Sequence, residues 1–412
     1  MNNIAVIMLI KHAGANLNDI KYKNRALILR LIATEPPLSR ADLARKTGLT
    51  KTTSSKIVSD LMEEGIICER ESVGYEASGA GRKPIFLDIS DHSPCICGVW
   101  VCPNRCTVIL ADLKGNIFSQ KSSDINSNIS AVELQNTLFQ LYDDTTRTCR
   151  RRIFAIGISS IGQIDMIRST LVKSPRFSRI FNMPLADLFH QKTQLPVFII
   201  NDANAGALAE KVYGNGKLLE NYIYLHIANG IGSGYILDNR IYNGDTGQNG
   251  EIGHTSINFS GSQCDCGNVG CLELYANLDN LNKRIKKIME IHDTRTLLPK
   301  TQKYYSWSQI IDAANNDDFS AIAGLEDFCN YLSFALANAI NLMDMNHILV
   351  GYDSETSGSI LEDILVRKLD EKALVAKNRP IIVQKSMFRG NSPLIGSIAL
   401  ITDKIFRGHM II

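Results

Sequence analysis

The sequence predicts an α/β protein in which an N-terminal winged helix-turn-helix precedes two α/β lobes. Three observations support this fold class. Residues 18–64 show helical periodicity interrupted by a proline pair and by Gly48, and residues 66–90 alternate like a hairpin. From Cys95 onward, apolar strand-like runs alternate with helical ones. The 412 residues exceed one ordinary core, so two or three domains are expected.

Three helices are predicted in the first domain, which we place at residues 18–90. Ser39 can cap the second helix with Asp42 three positions later, and Thr50 can cap the third. Two short helices joined by a glycine-containing turn form a helix-turn-helix. After Gly65, two strand-like runs flank a polar, glycine-rich tip, which predicts a wing.

Basic residues concentrate in this domain, because residues 21–56 carry nine Lys or Arg against two acidic residues. Polar and basic side chains at the start of the third helix can contact phosphates and base edges, and a basic pair in the wing suits a narrow minor groove. The predicted DNA-binding residues are Lys51, Thr52, Thr53, Ser55, Lys56, Arg82 and Lys83. The alternative is a solvated basic surface on a helical protein-interaction domain.

Composition argues against a membrane protein. Hydrophobic content of 45% and charged content of 21% are those of a globular protein. The apolar run Ile4–Ile10 is too short to span a bilayer, which takes about 20 residues, and no basic segment precedes it. We therefore expect a cytoplasmic protein with no membrane partner, whose ten cysteines are metal ligands or buried thiols.

One imidazole and three thiols occur within eighteen positions, with two glycines that allow sharp turns between the last two sulfurs. This set predicts a closed, tetrahedral, structural zinc site with one Zn²⁺ per chain. The predicted ligands are His254, Cys264, Cys266 and Cys271. The alternative is scattered core cysteines. A second group lacks a histidine and a glycine turn and is predicted to be buried packing: Cys95, Cys97, Cys102 and Cys106.

The run GEIGHTSINFSGSQCDCGNVGCLE at residues 250–273 resembles the signature of the ROK family, which comprises sugar kinases and sugar-responsive repressors. That signature is a His followed by CxCGxxGCxE, and every position is present. In the family, zinc supports the loop that presents the His and the glutamates to a sugar. The resemblance covers most of residues 93–412 and implies an actin-like, sugar kinase-like domain. We place its lobes at 93–206 plus the C-terminal helix and at 207–390.

The resemblance also implies a sugar site. The NDAN sequence that starts at Asn201 matches the family motif in which the Asn binds a sugar hydroxyl and the Asp is the catalytic base. Carried over position by position, the sugar-binding residues are Asn201, Asp202, Glu251, His254 and Glu273. For Asp202 taken alone, a helix cap is the alternative role.

The nucleotide half of the family's kinase site is degraded. Kinases place a DxGGT loop where this chain has GVWVCPNRCTV, which lacks a glycine pair and an Asp and contains a proline without an N–H. A second phosphate stretch, NGIGSGY, keeps three glycines, and the third reads VGYDSE. We therefore expect no enzymatic activity, with Asp202 only a residual base position. The stretches along the sugar's other edge also depart from the kinases, at residues 159–162 and 174–181, so the resemblance leaves the sugar open.

The sequence thus predicts a sugar-responsive transcriptional repressor of carbohydrate uptake or catabolism genes. It would bind operator DNA and a sugar effector and act as a homodimer, because repressors usually read two half-sites. The alternative is an active ATP-dependent sugar kinase that carries a regulatory DNA-binding domain. A regulator whose effector is another protein is a third possibility.

Overall fold

The computed structural model describes residues 17–71, 85–174, 177–228, 230–292 and 296–412. The predicted DNA-binding residues Arg82 and Lys83 lie outside these ranges. The described residues group into two compact units. One contains the chain up to Cys95 together with residues 112–114 and 402–412, and the other contains residues 96–111 and 115–401.

The first unit is a winged helix-turn-helix. Its elements are α1 (Leu17–Thr34), α2 (Arg40–Thr47), α3 (Lys51–Glu63), β1 (Ile67–Glu71) and β2 (Ile85–Ile89). Ser39 and Asp42 form the predicted capping box of α2, and the Thr50 side chain caps α3. Gly48 has a φ of +69°, so it supplies the left-handed residue that ends α2. β1 and β2 pair antiparallel, which confirms the wing.

The core of this unit is an apolar cluster from all three helices and the wing, including Ile28, Ile32, Leu43, Val58 and Leu87. Burial of such side chains contributes roughly 1.5–3 kcal/mol each. The C-terminal residues also belong to this unit: the Arg25 guanidinium donates to the carbonyl oxygen of Ile412 at 3.2 Å and pairs with Glu64.

Thirteen further strands and eight further helices are described from Cys95 onward. The strands are β3 (Cys95–Cys102), β4 (Arg105–Ala111), β5 (Ile117–Asp124), β6 (Ile153–Ser160), β7 (Gln163–Asp165), β8 (Thr170–Lys173), β9 (Phe181–Met183), β10 (Val197–Asn201), β11 (Tyr222–Ile227), β12 (Ile231–Leu237), β13 (Arg240–Ile241), β14 (His347–Tyr352) and β15 (Ile382–Lys385). The helices are α4 (Ala131–Thr146), α5 (Leu185–Thr193), α6 (Asp202–Val212), α7 (Leu278–His292), α8 (Trp307–Asn315), α9 (Phe319–Met343), α10 (Ile360–Lys372) and α11 (Ser392–Phe406).

Two five-stranded sheets have matching strand orders, β5-β4-β3-β6-β10 and β13-β12-β11-β14-β15. In each, three consecutive strands form an antiparallel meander. Two later strands extend each sheet beside the first strand of its meander, and the pairs β6–β10, β11–β14 and β14–β15 are parallel. This repeated arrangement confirms the prediction of two α/β lobes. A small sheet, β7-β8-β9, completes the described strands.

Close backbone packing fixes the start of α6, which carries Asp202. A Cβ atom on Gly396 of α11 would lie 2.1 Å from the carbonyl oxygen of Ala205, and one on Gly157 of β6 would lie 1.9 Å from that of Ser397. Real Cβ atoms do not approach oxygen so closely, so only glycine permits this contact of helices and sheet. Within the described residues no helix is long and apolar enough to cross a membrane.

Candidate functional site

The turn from β10 into α6 holds the first two predicted sugar residues. Asn201 is the N-cap: its Oδ1 accepts from the backbone N–H of Ala203 at 2.9 Å, and its Nδ2 donates to the Gly162 carbonyl at 3.0 Å. Asp202 is the first residue of the helix, with Oδ1 also 2.9 Å from the Ala203 nitrogen. Helix capping was the alternative role for Asp202, but the residue that caps α6 is Asn201. One N–H of the Asn201 amide stays available to a ligand.

The Asp202 carboxyl has a strongly shifted pKa. Burial raises its pKa to about 7; the backbone hydrogen bond from Ala203 opposes this, and the negative charge of Glu251 adds to it. A carboxyl group that titrates near neutrality in a cleft is typical of functional sites. As a carboxylate, Asp202 accepts hydrogen bonds from hydroxyl groups.

All five predicted sugar residues line one cavity of about 920 Å³. The same cavity is lined by residues from the stretches in which the chain departs from kinase relatives: Ile161, Gly162, Ser174, Phe177, Ser178 and Phe181. The cavity is at the upper end of the roughly 300–1,000 Å³ that small-molecule sites occupy. The structure therefore brings together in one cleft residues that are more than seventy positions apart in sequence.

Gly250 positions the acidic part of the site. Its φ is +85°, and a Cβ atom there would lie 1.9 Å from the Ser233 carbonyl of β12, so the chain passes against this strand just before Glu251. Burial raises the pKa of Glu251; the charge of His254 lowers it and that of Glu273 raises it. His254 Nδ1 lies 3.6 Å from Glu273 Oε1. The imidazole and the two carboxylates thus form one hydrogen-bonding surface.

The predicted metal ligands also come together. The His254 ring nitrogen and the sulfurs of the three cysteines all lie within 4.8 Å of one another. Cys264 Sγ is 3.8 Å from His254 Nδ1, and Cys266 Sγ is 3.6 Å from Cys271 Sγ. These separations match the edges of a tetrahedron with zinc–ligand bonds of about 2.0–2.3 Å. The donor set therefore fits a tetrahedral metal ion.

Backbone geometry supports this donor set. Gly267 and Gly270 have φ values of +95° and +69°, so the turns between the sulfurs use the left-handed region that glycine adopts without strain. A backbone hydrogen bond from Asn268 lowers the pKa of the Cys266 thiol, which favours the thiolate that metals bind. His254 belongs to both the metal set and the sugar set, since one ring nitrogen can bind a metal while the other contacts a hydroxyl.

Several cavity residues were not predicted from the sequence. Trp100, His226, Trp307 and Asp353 all line the cavity. Trp100 and Asp353 lie in stretches that were compared above with the phosphate loops of kinases. Their position in the sequence could therefore have predicted that they lie near the site. Trp307 offered none, because it starts an ordinary amphipathic helix. Of the second cysteine group, three members are fully buried and the fourth, Cys102, lines the cavity.

A second candidate surface lies at the start of α3. Lys51, Thr52, Thr53 and Lys56 are exposed and Ser55 is half-buried, so these predicted residues share the accessible N-terminal part of the helix. The N-terminus of a helix favours phosphate groups through its free N–H donors and its dipole. This arrangement is the one that a recognition helix presents to the major groove.

Some basic residues of the winged helix-turn-helix unit form ion pairs, and others do not. Arg25, Arg40, Arg45 and Lys46 each pair with an acidic side chain. Lys51 and Lys56 have no acidic partner among the residues described. Their charges are therefore free to neutralise phosphates and release counterions.

Lys56→Ala is expected to weaken binding to duplex DNA of any sequence and to reduce the slope of log affinity against log salt by about 1, as one phosphate contact is lost. Filter binding or fluorescence anisotropy over a salt series measures both quantities. Lys46→Ala is the matched control, because Lys46 is also exposed but pairs with Glu35 at 2.8 Å. An equal loss in both variants would contradict the assignment of α3 as the DNA-binding helix.

Comparisons with known proteins identify the families of both parts of the chain. Residues 23–67 match the winged helix-turn-helix DNA-binding family, and residues 96–404 match the ROK family. The xylose repressor of Bacillus subtilis is 30% identical over 391 residues, which cover 94% of this chain and 97% of the relative.

Two solved structures share the fold. A ROK family transcriptional regulator, a homolog of the Escherichia coli MLC protein, has a TM-score of 0.77 at 27% identity over 94% of this chain and 97% of its own. A ROK family glucokinase from Streptomyces griseus, in complex with glucose and AMPPNP, has a TM-score of 0.66 at 24% identity over 74% of this chain and 98% of its own, which is a likeness of fold alone. Since the family match extends over residues 96–404, well over half of the chain, the protein belongs to the ROK family.

Proposed function

We propose that the protein is a sugar-responsive transcriptional repressor of carbohydrate genes. The observation that carries this proposal is the presence, on one chain, of a winged helix-turn-helix and of a cavity lined by all five residues of a sugar site. The winged unit binds operator DNA through α3 and the wing. The cavity binds the effector through Asn201, Asp202, Glu251, His254 and Glu273.

The relatives support the direction of the regulation. The curated relative is named a xylose repressor, and the solved regulator with the highest TM-score given above is a transcriptional regulator rather than a kinase. We expect sugar binding to release the operator. The genes for using the sugar would then be expressed when that sugar is present. The protein then acts in the cytoplasm, where its DNA is.

The metal that the cysteine cluster would hold is zinc, one ion per chain. Three thiolates and one imidazole leave no open position, which is the donor set of a structural zinc site. When bound, zinc contributes local folding energy and fixes the loop that carries Glu251 and Glu273. His254 belongs to this cluster and also lines the cavity.

A homodimer would present two winged domains to two half-sites. Exposed apolar side chains support an interface on the second lobe: Leu342 at the end of α9 is 83% exposed and Leu374 after α10 is 64% exposed. The two lie on adjoining segments, because the Leu374 N–H donates to Asn341 Oδ1 at 2.8 Å. Apolar surface of this kind often marks association sites.

An active sugar kinase is the second candidate, favoured by the shifted pKa of Asp202 and by the glucokinase-like fold. The residues at two of the three phosphate stretches argue against it. The β3–β4 turn consists of Pro103 and Asn104, so it lacks a glycine pair. Tyr352, at the end of β14, is buried and donates to Glu362 at 3.0 Å, and Asp353 follows it. A carboxylate there repels the triphosphate that a kinase must hold.

We therefore expect no ATP-dependent phosphorylation of any sugar above background. Coupled assays of ADP release with glucose, xylose and N-acetylglucosamine measure this directly. Asp202→Ala is the control, because any genuine turnover through this site would disappear in that variant. Turnover in the parent that is lost in Asp202→Ala would replace the repressor proposal by the kinase one.

Thermal-shift screening of neutral sugars tests the proposed effector class. A sugar at 100 times its dissociation constant adds about 2.7 kcal/mol to the free energy of unfolding, so a true effector should raise the melting temperature by several degrees. Glu273→Ala should remove that shift. If no neutral sugar changed the melting temperature of the parent, the effector would belong to another class.

A further inference from the structure

The cavity continues beyond the five sugar residues into a region that we call the distal half. It is lined by His226, Trp307, Asp353, Gly390 and Asn391. These residues come from β11, α8, the segment after β14 and the turn before α11. A single sugar ring fills only a small part of the 920 Å³, so the distal half is available to a further part of the same ligand.

Sheet geometry places this region next to the sugar residues. β11 and β14 are parallel neighbours in which His226 pairs with Gly351. Asp353 therefore follows the carboxyl end of β14, the edge at which open α/β sheets bind ligands. A Cβ atom on Gly390 would lie 3.0 Å from the Asp353 Cβ, so the turn at Gly390 packs directly against Asp353.

The charges of the cavity disfavour an anionic ligand. Six acidic residues line it: Asp124, Asp202, Glu251, Asp265, Glu273 and Asp353. Of the described lining residues only Arg105 and Lys173 are Lys or Arg, and Arg105 pairs with Asp124 at 3.0 Å. The distal half itself contains no Lys or Arg. Burial lowers the pKa of His226 to about 4, so its imidazole is neutral at neutral pH. A phosphate in the distal half would meet Asp353, and the neighbouring cations Lys385 and Arg389 do not line the cavity.

The polar groups of the distal half match hydroxyl groups instead. Trp307 is 3% exposed, and its indole N–H is buried without a hydrogen-bond partner among the described protein atoms. The ring is held by Phe328 and Tyr352, with centroids 5.3 and 5.4 Å away. The indole nitrogen has almost no accessible surface, so Trp307 borders the cavity with its ring, and the accessible charged side chain of the distal half is Asp353. The indole N–H of Trp100, another lining residue, has the same property.

We propose that the effector is an uncharged sugar of at least two linked units. One ring lies on Asp202, Glu251, His254 and Glu273, and the second unit lies in the distal half. There its hydroxyls donate to Asp353 and its ring packs against Trp307. This inference rests on the proposed function, because it names the ligand class of the same sugar site.

Titration calorimetry and intrinsic fluorescence test the proposal on the full chain. Both tryptophans of the sequence line the cavity, so a bound sugar should change the emission without a label. The probes are glucose and xylose, the disaccharides cellobiose, maltose and xylobiose, and glucose 6-phosphate. At least one disaccharide should bind about 10-fold or more tightly than its monosaccharide, and glucose 6-phosphate should bind more weakly than glucose.

Two variants assign the gain to the distal half. Asp353→Ala should reduce the affinity for the preferred disaccharide to that of its monosaccharide and leave monosaccharide affinity unchanged. Glu355→Ala, an exposed acid two positions later that does not line the cavity, should change neither. Trp307→Phe, which replaces the indole by a smaller phenyl ring, should lower disaccharide affinity only.

Equal binding of monosaccharides and disaccharides, with no effect of Asp353→Ala, would overturn this inference and leave the proposed sugar response intact. Tighter binding of glucose 6-phosphate than of glucose would also overturn it. Failure of every probe, neutral or phosphorylated, to bind would overturn both the inference and the proposed function.

Discussion

Cys266→Ser is expected to lower the zinc content from about one ion per chain to near zero. Losing one of four ligands removes a large share of a binding free energy that is about 10–16 kcal/mol in small zinc-finger peptides. Cys266 is exposed, so the substitution leaves no cavity in the core. The loop from Glu251 to Glu273 should open. At least 10-fold more sugar should then be needed to produce the same thermal shift. Elemental analysis and hydrogen exchange of this loop measure the two effects.

Cys68→Ser is the matched control, because Cys68 is a half-buried thiol of β1, which belongs to the winged unit. It should retain the metal and the sugar response. Absence of zinc from parent protein purified without chelator would contradict the assignment of the cluster. Retention of a full equivalent of zinc in Cys266→Ser would do the same.

Asp202→Ala is expected to lower sugar affinity by about 10–100-fold and leave the affinity for DNA without sugar unchanged. Hydrogen bonds to a charged group contribute about 1.5–3 kcal/mol each, and the family resemblance aligns Asp202 with the catalytic base of the kinases. The fold should survive, because Asn201 rather than Asp202 caps α6. Titration calorimetry with the sugar found by thermal shift gives the affinity change.

Asp187→Ala is the control for this variant. Asp187 is likewise an acid in the first turn of a helix, α5, but it is exposed and does not line the cavity. Its removal should leave sugar affinity unchanged. If Asp202→Ala bound sugar as tightly as the parent, the effector site would lie elsewhere.

Local features of the sequence predicted much of the fold and the metal cluster. The capping box at Ser39 follows from a short-range pattern, and the structure confirms it. The four metal ligands lie within eighteen positions, so their spacing alone brings them close. The sugar residues required the family resemblance, because Asp202 and Glu251 are distant in sequence.

Other features depend on contacts that no local pattern reveals. β5 is an edge strand whose side chains are mostly exposed, so it lacks the apolar alternation that identifies a strand. Trp307 packs like a core residue on one face and borders the cavity on the other. Asn201 rather than Asp202 caps α6 because Asn201 has an extended backbone and the helix begins at Asp202. These cases were decided by long-range packing or by single backbone angles.

The measurement that tests the central claim most directly is the affinity of the full chain for DNA with and without sugar. The DNA is a duplex that the protein itself selects from a random library, and the sugar is the one with the largest thermal shift. We predict that saturating sugar weakens DNA binding by about 5–150-fold in the parent, the usual range of allosteric coupling, and leaves Asp202→Ala unaffected at the same concentration. Equal DNA affinity of the parent with and without saturating sugar would contradict the account.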